Sequence, residues 1–330
     1  MNTYKNLFNM QSMQRFQDSY AMGIQKECPF VDNLGGGLVS PESLVHIDPL
    51  IYEKKYAPLA LLNAGISIDN TGGYSTAIRS LRVAGEGAFT YSAEKSSDKG
   101  VIKLAGEDNL IKVFERGTKA YWSDSELKEA ALGGVNLAQR YLSEVLRIYQ
   151  YDVDYLGLIG TGTGGQAGLL TNTDYSTSAA SKTVDNLKPM ELYEEMAAFV
   201  VDQWNSVNNT PEYMAKVVIV PVDLMNKAMS ALLPSATGVG VESTTMKTVW
   251  AALQDNFPTV QWMSSSKCSD QRSAVAFSND IQALRLRIPV PLQVGELVKI
   301  SSFDYQTDYK YRIGGIDILE KESGAILTGL

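Results

Sequence analysis

The apolar positions of this chain change period several times, and each change marks a predicted element. Residues 1–25 place Leu7, Met10, Met13, Phe16 and Tyr20 three or four apart, the spacing of an amphipathic helix. Cys28-Pro29 and then Gly35-Gly36-Gly37 end that pattern. A helix cut off in this way must find its apolar partner in its own fold or on a neighbouring subunit. Period two takes over at residues 78–83 and 101–104, which alternate as half-exposed strands around the polar, turn-rich stretch 93–100. The prediction is a long two-stranded arm, and a lone hairpin is only marginally stable in water.

The helical period returns at Ser123, which with Glu126 forms a capping box. Leu127, Ala130, Ala131, Leu137, Tyr141, Val145 and Ile148 then keep one face apolar, predicting a helix over 123–150. Gly133-Gly134 inside it costs about 1 kcal/mol per glycine against alanine. The helix runs into Gly160-Thr-Gly-Thr-Gly-Gly-Gln-Ala-Gly-Leu-Leu-Thr-Asn172. From about residue 186 helices and strands alternate. Helices are expected over 189–207, 222–233 and 244–256. Strands are expected over 216–220, 260–262, 274–277, 284–290, 296–303, 308–313 and 315–320. There is no internal repeat.

A length of 330 residues fits about two domains, and 45% apolar with 20% charged residues is enough to bury a core. The formal charge of −8 argues against stable sequence-specific nucleic-acid binding, which needs a basic stripe. Cys28 and Cys268 are too few for a disulfide framework and too far apart for a zinc site. No apolar run approaches the roughly 20 residues of a membrane helix, and the N-terminus lacks a signal-peptide core, so no membrane partner is expected.

Candidate chemistry is sparse. Gly160-x-Gly162-x-x-Gly165, with Asp185 further on, satisfies the dinucleotide-binding pattern, but that loop needs a strand before it and a helix after it. Here a helix precedes it and a polar stretch follows, so a sharp structural turn is the better account. His46 is the only histidine, which leaves no Ser-His-Asp triad and no ordinary transition-metal site. Asp152 and Asp154 stand two apart and are read as solvated charges at a helix end, and Asp304 and Asp308 as charges flanking a turn. Arg285-Leu-Arg287 and Lys310-Tyr-Arg312 each put two cations on one strand face. Such a face is solvated, meets a neighbouring subunit, or forms a thin basic patch. No catalytic, cofactor-binding or metal-binding residue is assigned.

The order of these parts resembles the tailed-bacteriophage major capsid proteins of the Hong Kong 97-type fold. Gly168-Leu-Leu-Thr-Asn172 after the long helix is similar to a segment common in that family. Tyr311-Arg-Ile-Gly-Gly-Ile-Asp-Ile-Leu319 and the following Gly324-Ala-Ile-Leu resemble its closing strands. The resemblance implies an α+β fold with an N-arm (1–34), an E-loop hairpin (76–111) and a peripheral P domain. That P domain is formed by 35–75, 112–185 with the spine helix 123–150, and 290–330, around an α/β axial A domain (186–289). It implies pentamers and hexamers closing into an icosahedral shell around double-stranded DNA, as a virion capsid assembled in the host cytoplasm. Portal, scaffolding and decoration proteins would be partners, and packaged DNA would be touched only non-specifically. Expected subunit contacts are Phe8, Phe16, Arg79, Arg82, Glu86, Glu94, Lys95, Lys99, Arg285 and Arg287. The rival within the same fold is an encapsulin-type nanocompartment shell. The rival from another class is a soluble nucleotide-binding enzyme using the Gly160–Gly165 loop.

Overall fold

A computed structural model describes residues 58–86, 102–132, 134, 136–161, 166–233 and 247–330. The predicted N-terminal helix, Cys28, His46, the polar tip of the arm and the middle of the glycine run lie outside the described residues.

A short helix α1 (Ala60–Asn63) and a two-residue strand β1 (Ile68–Asp69) lead into the predicted arm. Its strands β2 (Ala77–Glu86) and β3 (Lys103–Lys112) pair antiparallel from Ala77↔Lys112 to Glu86↔Lys103. Strand β4 (Phe114–Ser123) follows at once. Sequence reading missed it, because Gly117 and scattered charges break its alternation.

The capping box forms as expected. The Ser123 amide donates to Glu126 Oε2 at 3.0 Å, and the Glu126 amide to Ser123 Oγ at 3.2 Å. The predicted single helix, however, is two: α2 (Asp124–Leu132) and α3 (Leu137–Leu158). Gly134 has φ +67°, a left-handed turn that no continuous helix accommodates. The second helix restarts on Asn136, whose Oδ1 accepts from the Gln139 amide at 3.1 Å. It continues to Leu158 instead of ending near residue 150, which places Asp152 and Asp154 inside the helix.

The rest of the chain alternates. In order come β5 (Ser176–Ala179), α4 (Pro189–Ser206), β6 (Val217–Pro221), α5 (Val222–Ser230), α6 (Val249–Asn256), β7 (Gln261–Ser265), α7 (Ser266–Gln271) and β8 (Ser273–Phe277). Then follow β9 (Leu284–Arg287), β10 (Val290–Lys299), β11 (Asp304–Ile313), β12 (Gly315–Ile318) and β13 (Gly324–Thr328). The strand expected over 296–303 stops at Lys299. There a turn closes through the Ile300 amide on the Asp304 carbonyl at 2.9 Å.

Besides the β2–β3 hairpin, sheets of order β1-β9-β12, β10-β11-β4 and β5-β13-β8-β6-β7 form. In the five-stranded sheet, period two sorts neighbouring residues into two separate cores. Val217, Ile219, Val275, Phe277 and Ile326 point to one side, with Leu61, Leu156, Leu158, Leu169 and Leu286. Val218, Val220, Ala274, Ala276 and Leu327 point to the other, against Leu192, Met196 and Val200 of α4, Leu224 of α5 and Leu253 of α6. Each fully buried valine, leucine, isoleucine, methionine or phenylalanine among them contributes roughly 1.5–3 kcal/mol. Strand β13, the last of the chain, is hydrogen-bonded between β5 and β8. A boundary near residue 289 therefore does not separate the closing strands from the sheet before them.

The chain divides into two compact units. The larger contains both cores. The described part of the smaller lies within 119–143 and 294–308. Trp122 stacks on Tyr141 there, with ring centroids 5.5 Å apart, and the Asp124 amide donates to the Phe303 carbonyl at 2.7 Å.

Candidate assembly surfaces

The β2–β3 hairpin carries its polarity the wrong way round for a soluble monomer. One face presents Ser80, Arg82, Glu107 and Asn109 to the body of its own unit. The Ser80 hydroxyl donates to Asp317 Oδ2 at 2.6 Å and Asn109 Nδ2 to Asp317 Oδ1 at 3.1 Å. Arg82 donates to Asp174 Oδ2 at 2.9 Å and to the Ile318 carbonyl, while Lys321 holds Glu107 at 2.9 Å. The opposite face presents Leu81, Val83, Leu104 and Leu110 to solvent, each more than 60% exposed or at that level. Register puts Val83 opposite Gly106 and Leu104 opposite Gly85, so bulky and bare positions alternate across it. Exposed apolar surface of this kind makes this face a candidate contact surface.

Arg287 lies at the centre of the polar cluster. Its Nε and Nη2 donate to Asp317 Oδ2 at 3.0 and 2.9 Å, Nη2 also to Ser80 Oγ at 3.2 Å, and Nη1 to Asp69 and to Thr71 Oγ1 at 3.3 Å. Asp317 is 0% exposed. Burial pushes the Asp69 carboxyl up, but the hydrogen bonds from Thr71 and the charges of Arg287 and Arg285 outweigh it and hold it below its ordinary value. Arg287 is thus an internal strut, and the expectation that it offers its charge to a neighbour gives way. Arg82 is likewise turned inward. Arg285 donates to the Ile281 carbonyl at 2.7 Å and lies 3.6 Å from Asp69. Arg79 stands on the outward face of the hairpin, paired with Asp108. Glu86 ends β2 opposite Lys103. Phe8, Phe16, Glu94, Lys95 and Lys99 lie outside the described residues.

The reading of Asp152 and Asp154 as solvated charges is also corrected. Asp154 is 1% exposed, accepts from the Leu61 amide at 2.8 Å, and pairs with Lys267. Asp152 accepts from the Tyr311 hydroxyl and from Arg116 Nε at 2.8 Å. Both line or adjoin a cavity of about 490 Å³ between α3 and strands β4 and β11, walled by Tyr149, Tyr151, Tyr155, Tyr309 and Tyr311. Burial, then the hydrogen bond to Asp152, raises the Tyr311 hydroxyl pKa, so this phenol stays protonated. Both carboxylates are thus committed to partners within the fold. Among the described residues no group of three or more His, Cys, Asp or Glu could hold a metal ion.

The residues that follow the glycine run lie back against the end of α3. The Leu169 and Leu170 amides donate to the Gly157 and Leu158 carbonyls at 2.8 and 2.9 Å, and both leucines are buried. A Cβ on Gly168 would lie 2.4 Å from the Ile159 amide nitrogen, so only glycine fits this close backbone approach. Gln166 Nε2 bridges the Lys112 and Ile313 carbonyls at 3.0 and 2.9 Å. A helix precedes this segment and strand β5 follows it, the reverse of what a pyrophosphate-binding turn requires.

Residues 87–330 match the family described as major capsid protein. The chain belongs to that family. It is 33% identical to a chain in the structure of the capsid of Myoviridae phage XM1, with a TM-score of 0.74 over 89% of this chain and 100% of the other. At 12% identity, the capsid of a native GTA particle gives a TM-score of 0.60 over 91% of this chain and 98% of that one. A structure from Microbacterium phage Oxtober96 gives 0.59 over 87% and 97%, also at 12% identity. These two likenesses speak for the fold alone. No curated protein sequence matches at a significant level. The capsid protein has the Hong Kong 97-type α+β fold and a structural, self-associating role in a virion capsid. The nucleotide-enzyme reading has no support in the turn's geometry, and the nanocompartment reading is the weaker shell alternative.

Proposed function

We propose that this capsid protein assembles through pentamers and hexamers into an icosahedral shell that encloses the double-stranded DNA of a tailed phage. The inverted polarity of the β2–β3 hairpin carries this reading. A hairpin anchored to its own subunit by ion pairs, with leucines and valine facing outward, suits an arm that lies over an adjacent copy. Residues 76–111 act as the E-loop and 1–34 as the N-arm. The spine helix with the closing strands serves as the P domain, and 186–289 with β13 as the A domain. Arg79, Glu86 and Arg285, with Phe8, Phe16, Glu94, Lys95 and Lys99, remain the contacts to test. One subunit placed at both five-fold and six-fold centres needs heterologous contacts that tolerate a change of angle, which projecting arms supply. Portal, scaffolding and decoration proteins complete the particle in the host cytoplasm, and the acidic balance keeps packaged DNA from adhering to the wall.

Negative-stain electron microscopy with solution mass on the purified full chain tests this. Closed shells, or pentamers and hexamers, are expected. A uniform small oligomer that never assembles overturns the reading. Shells holding a protein cargo and no nucleic acid would favour the nanocompartment.

A further inference from the structure

The outer face of β11 carries a charge ladder with one unmatched rung. Arg312 has Glu115 of β4 as cross-strand partner, but only at 4.0 Å, with the Glu115 side chain 52% exposed. Lys310 instead lies across from Gly117, which has no side chain to answer it. Among the described residues no carboxylate comes within ion-pair distance of the Lys310 ammonium. That ammonium and the Arg312 guanidinium both sit over the ring of Tyr74, at 5.9 and 5.6 Å from its centroid. The ring is held in place by its hydroxyl, which donates to Gln293 Oε1 at 3.0 Å.

A further group of the patch is a donor without an acceptor. Arg312 is 9% exposed, and its Nε is enclosed without a hydrogen-bond partner. An enclosed donor left unmade costs about 1–3 kcal/mol, more for a charged group, so native proteins seldom leave donors in excess. The patch is thus rich in donors and cations, and a carboxylate, which offers acceptors alone, is the group that matches it.

We propose that the Tyr74–Lys310–Arg312 patch receives an acidic side chain of a neighbouring copy of this chain in the assembled shell. This rests on the shell reading above. A second copy is the occupant favoured by charge, since the chain carries 37 acidic against 29 basic residues. Packaged duplex is disfavoured by the patch's own borders. Glu115 stands beside Arg312, and Asp308 precedes Lys310 by two residues on β11, roughly 6.6 Å along the strand. A duplex with a phosphate charge about every 1.7 Å of its axis would meet both carboxylates, whereas a single side chain fits between them.

Carbodiimide coupling, which joins an ammonium to a touching carboxylate, tests this on shells assembled from mixed light and ¹⁵N-labelled full-length chains. Mass spectrometry is expected to find the Lys310 peptide joined to an Asp or Glu peptide of the other isotope. Lys310→Glu is expected to lower shell yield about tenfold or more, and Lys310→Arg to preserve it. Lys310 is exposed, so neither should move the melting temperature of unassembled subunit. Lys310 left uncoupled in intact shells, or joined only within its own copy, would overturn the proposal. So would Lys310→Glu shells formed in full yield, and if these held less nucleic acid the patch would be assigned to DNA. Failure of the unaltered chain to form any shell would instead sink the shell reading, and this proposal with it.

Discussion

The five-stranded sheet and the β2–β3 hairpin obey the same period-two rule and meet different surroundings. In the sheet every residue of β6 and β8 is buried, because helices cover one face and the core around Leu61, Leu156, Leu158 and Leu286 covers the other. In the hairpin the polar face is spent on the subunit's own ion pairs, and the apolar face is left to solvent. Alternation states that a strand has two unlike faces. It does not state which one meets water. A sheet that folds for its own sake turns its apolar side inward, and the hairpin's reversal is the observation on which its proposed contact with a neighbouring copy rests.

The contrast can be broken first at its stable end. Phe277→Ala empties a fully buried position and is expected to cost about 3–5 kcal/mol, read as a fall in the melting temperature of unassembled subunit. Arg287→Met strands Asp317 and Asp69 in the polar cluster. About 3 kcal/mol or more should be lost, with part of it restored when Asp317→Leu is added. If Phe277→Ala cost no more than a surface change, the sheet would not be the stable half of the comparison.

A smaller effect is expected from pH. Asp69 is held below its ordinary 3.8, so its contribution to stability is complete above that value and fades as pH falls through and below it. Thermal melts of unassembled subunit should drop below about pH 4, and Asp69→Asn should flatten that drop. An unchanged acid limb in the variant would mean that the polar cluster does not depend on this carboxylate.

Local signals were readable and distant ones were not. The capping box needs only Ser123 and Glu126, three residues apart, and it formed as written. Gly133-Gly134 gave notice of a weak point, but whether packing would carry the helix through it was not decided by local sequence. Asp154 looked solvated because its partners, Leu61 and Lys267, lie 93 and 113 residues away. Arg287 looked like a surface cation for the same reason, with Asp317, Ser80 and Asp69 at separations of 30, 207 and 218. Strand β4 is hidden because Gly117 and scattered charges break its alternation, and the pairing to β11 that makes it a strand joins distant parts of the chain. Of the assembly surface, the hairpin's existence was legible from alternation. Its orientation was not, since that depends on which face finds ion-pair partners in the folded body.

The smallest expected effect on the subunit is the sharpest test of the comparison. Leu81→Ser and Leu104→Ser act on side chains 63% and 76% exposed, where substitutions move stability by no more than about 0.5 kcal/mol. The melting temperature of unassembled subunit should therefore stay level with the unaltered chain. Shell formation should not, because the same side chains would be buried in every hairpin contact of a closed particle, and the loss repeats with each copy. Sedimentation of the double variant is expected to show subunits or small oligomers where the unaltered chain gives particles. Arg79→Ala on the same face should do less, since an exposed pair with Asp108 is worth little. Shells of normal yield from the double variant would mean that the apolar face is tolerated in water. The hairpin's reversal would then need another cause than a neighbouring copy.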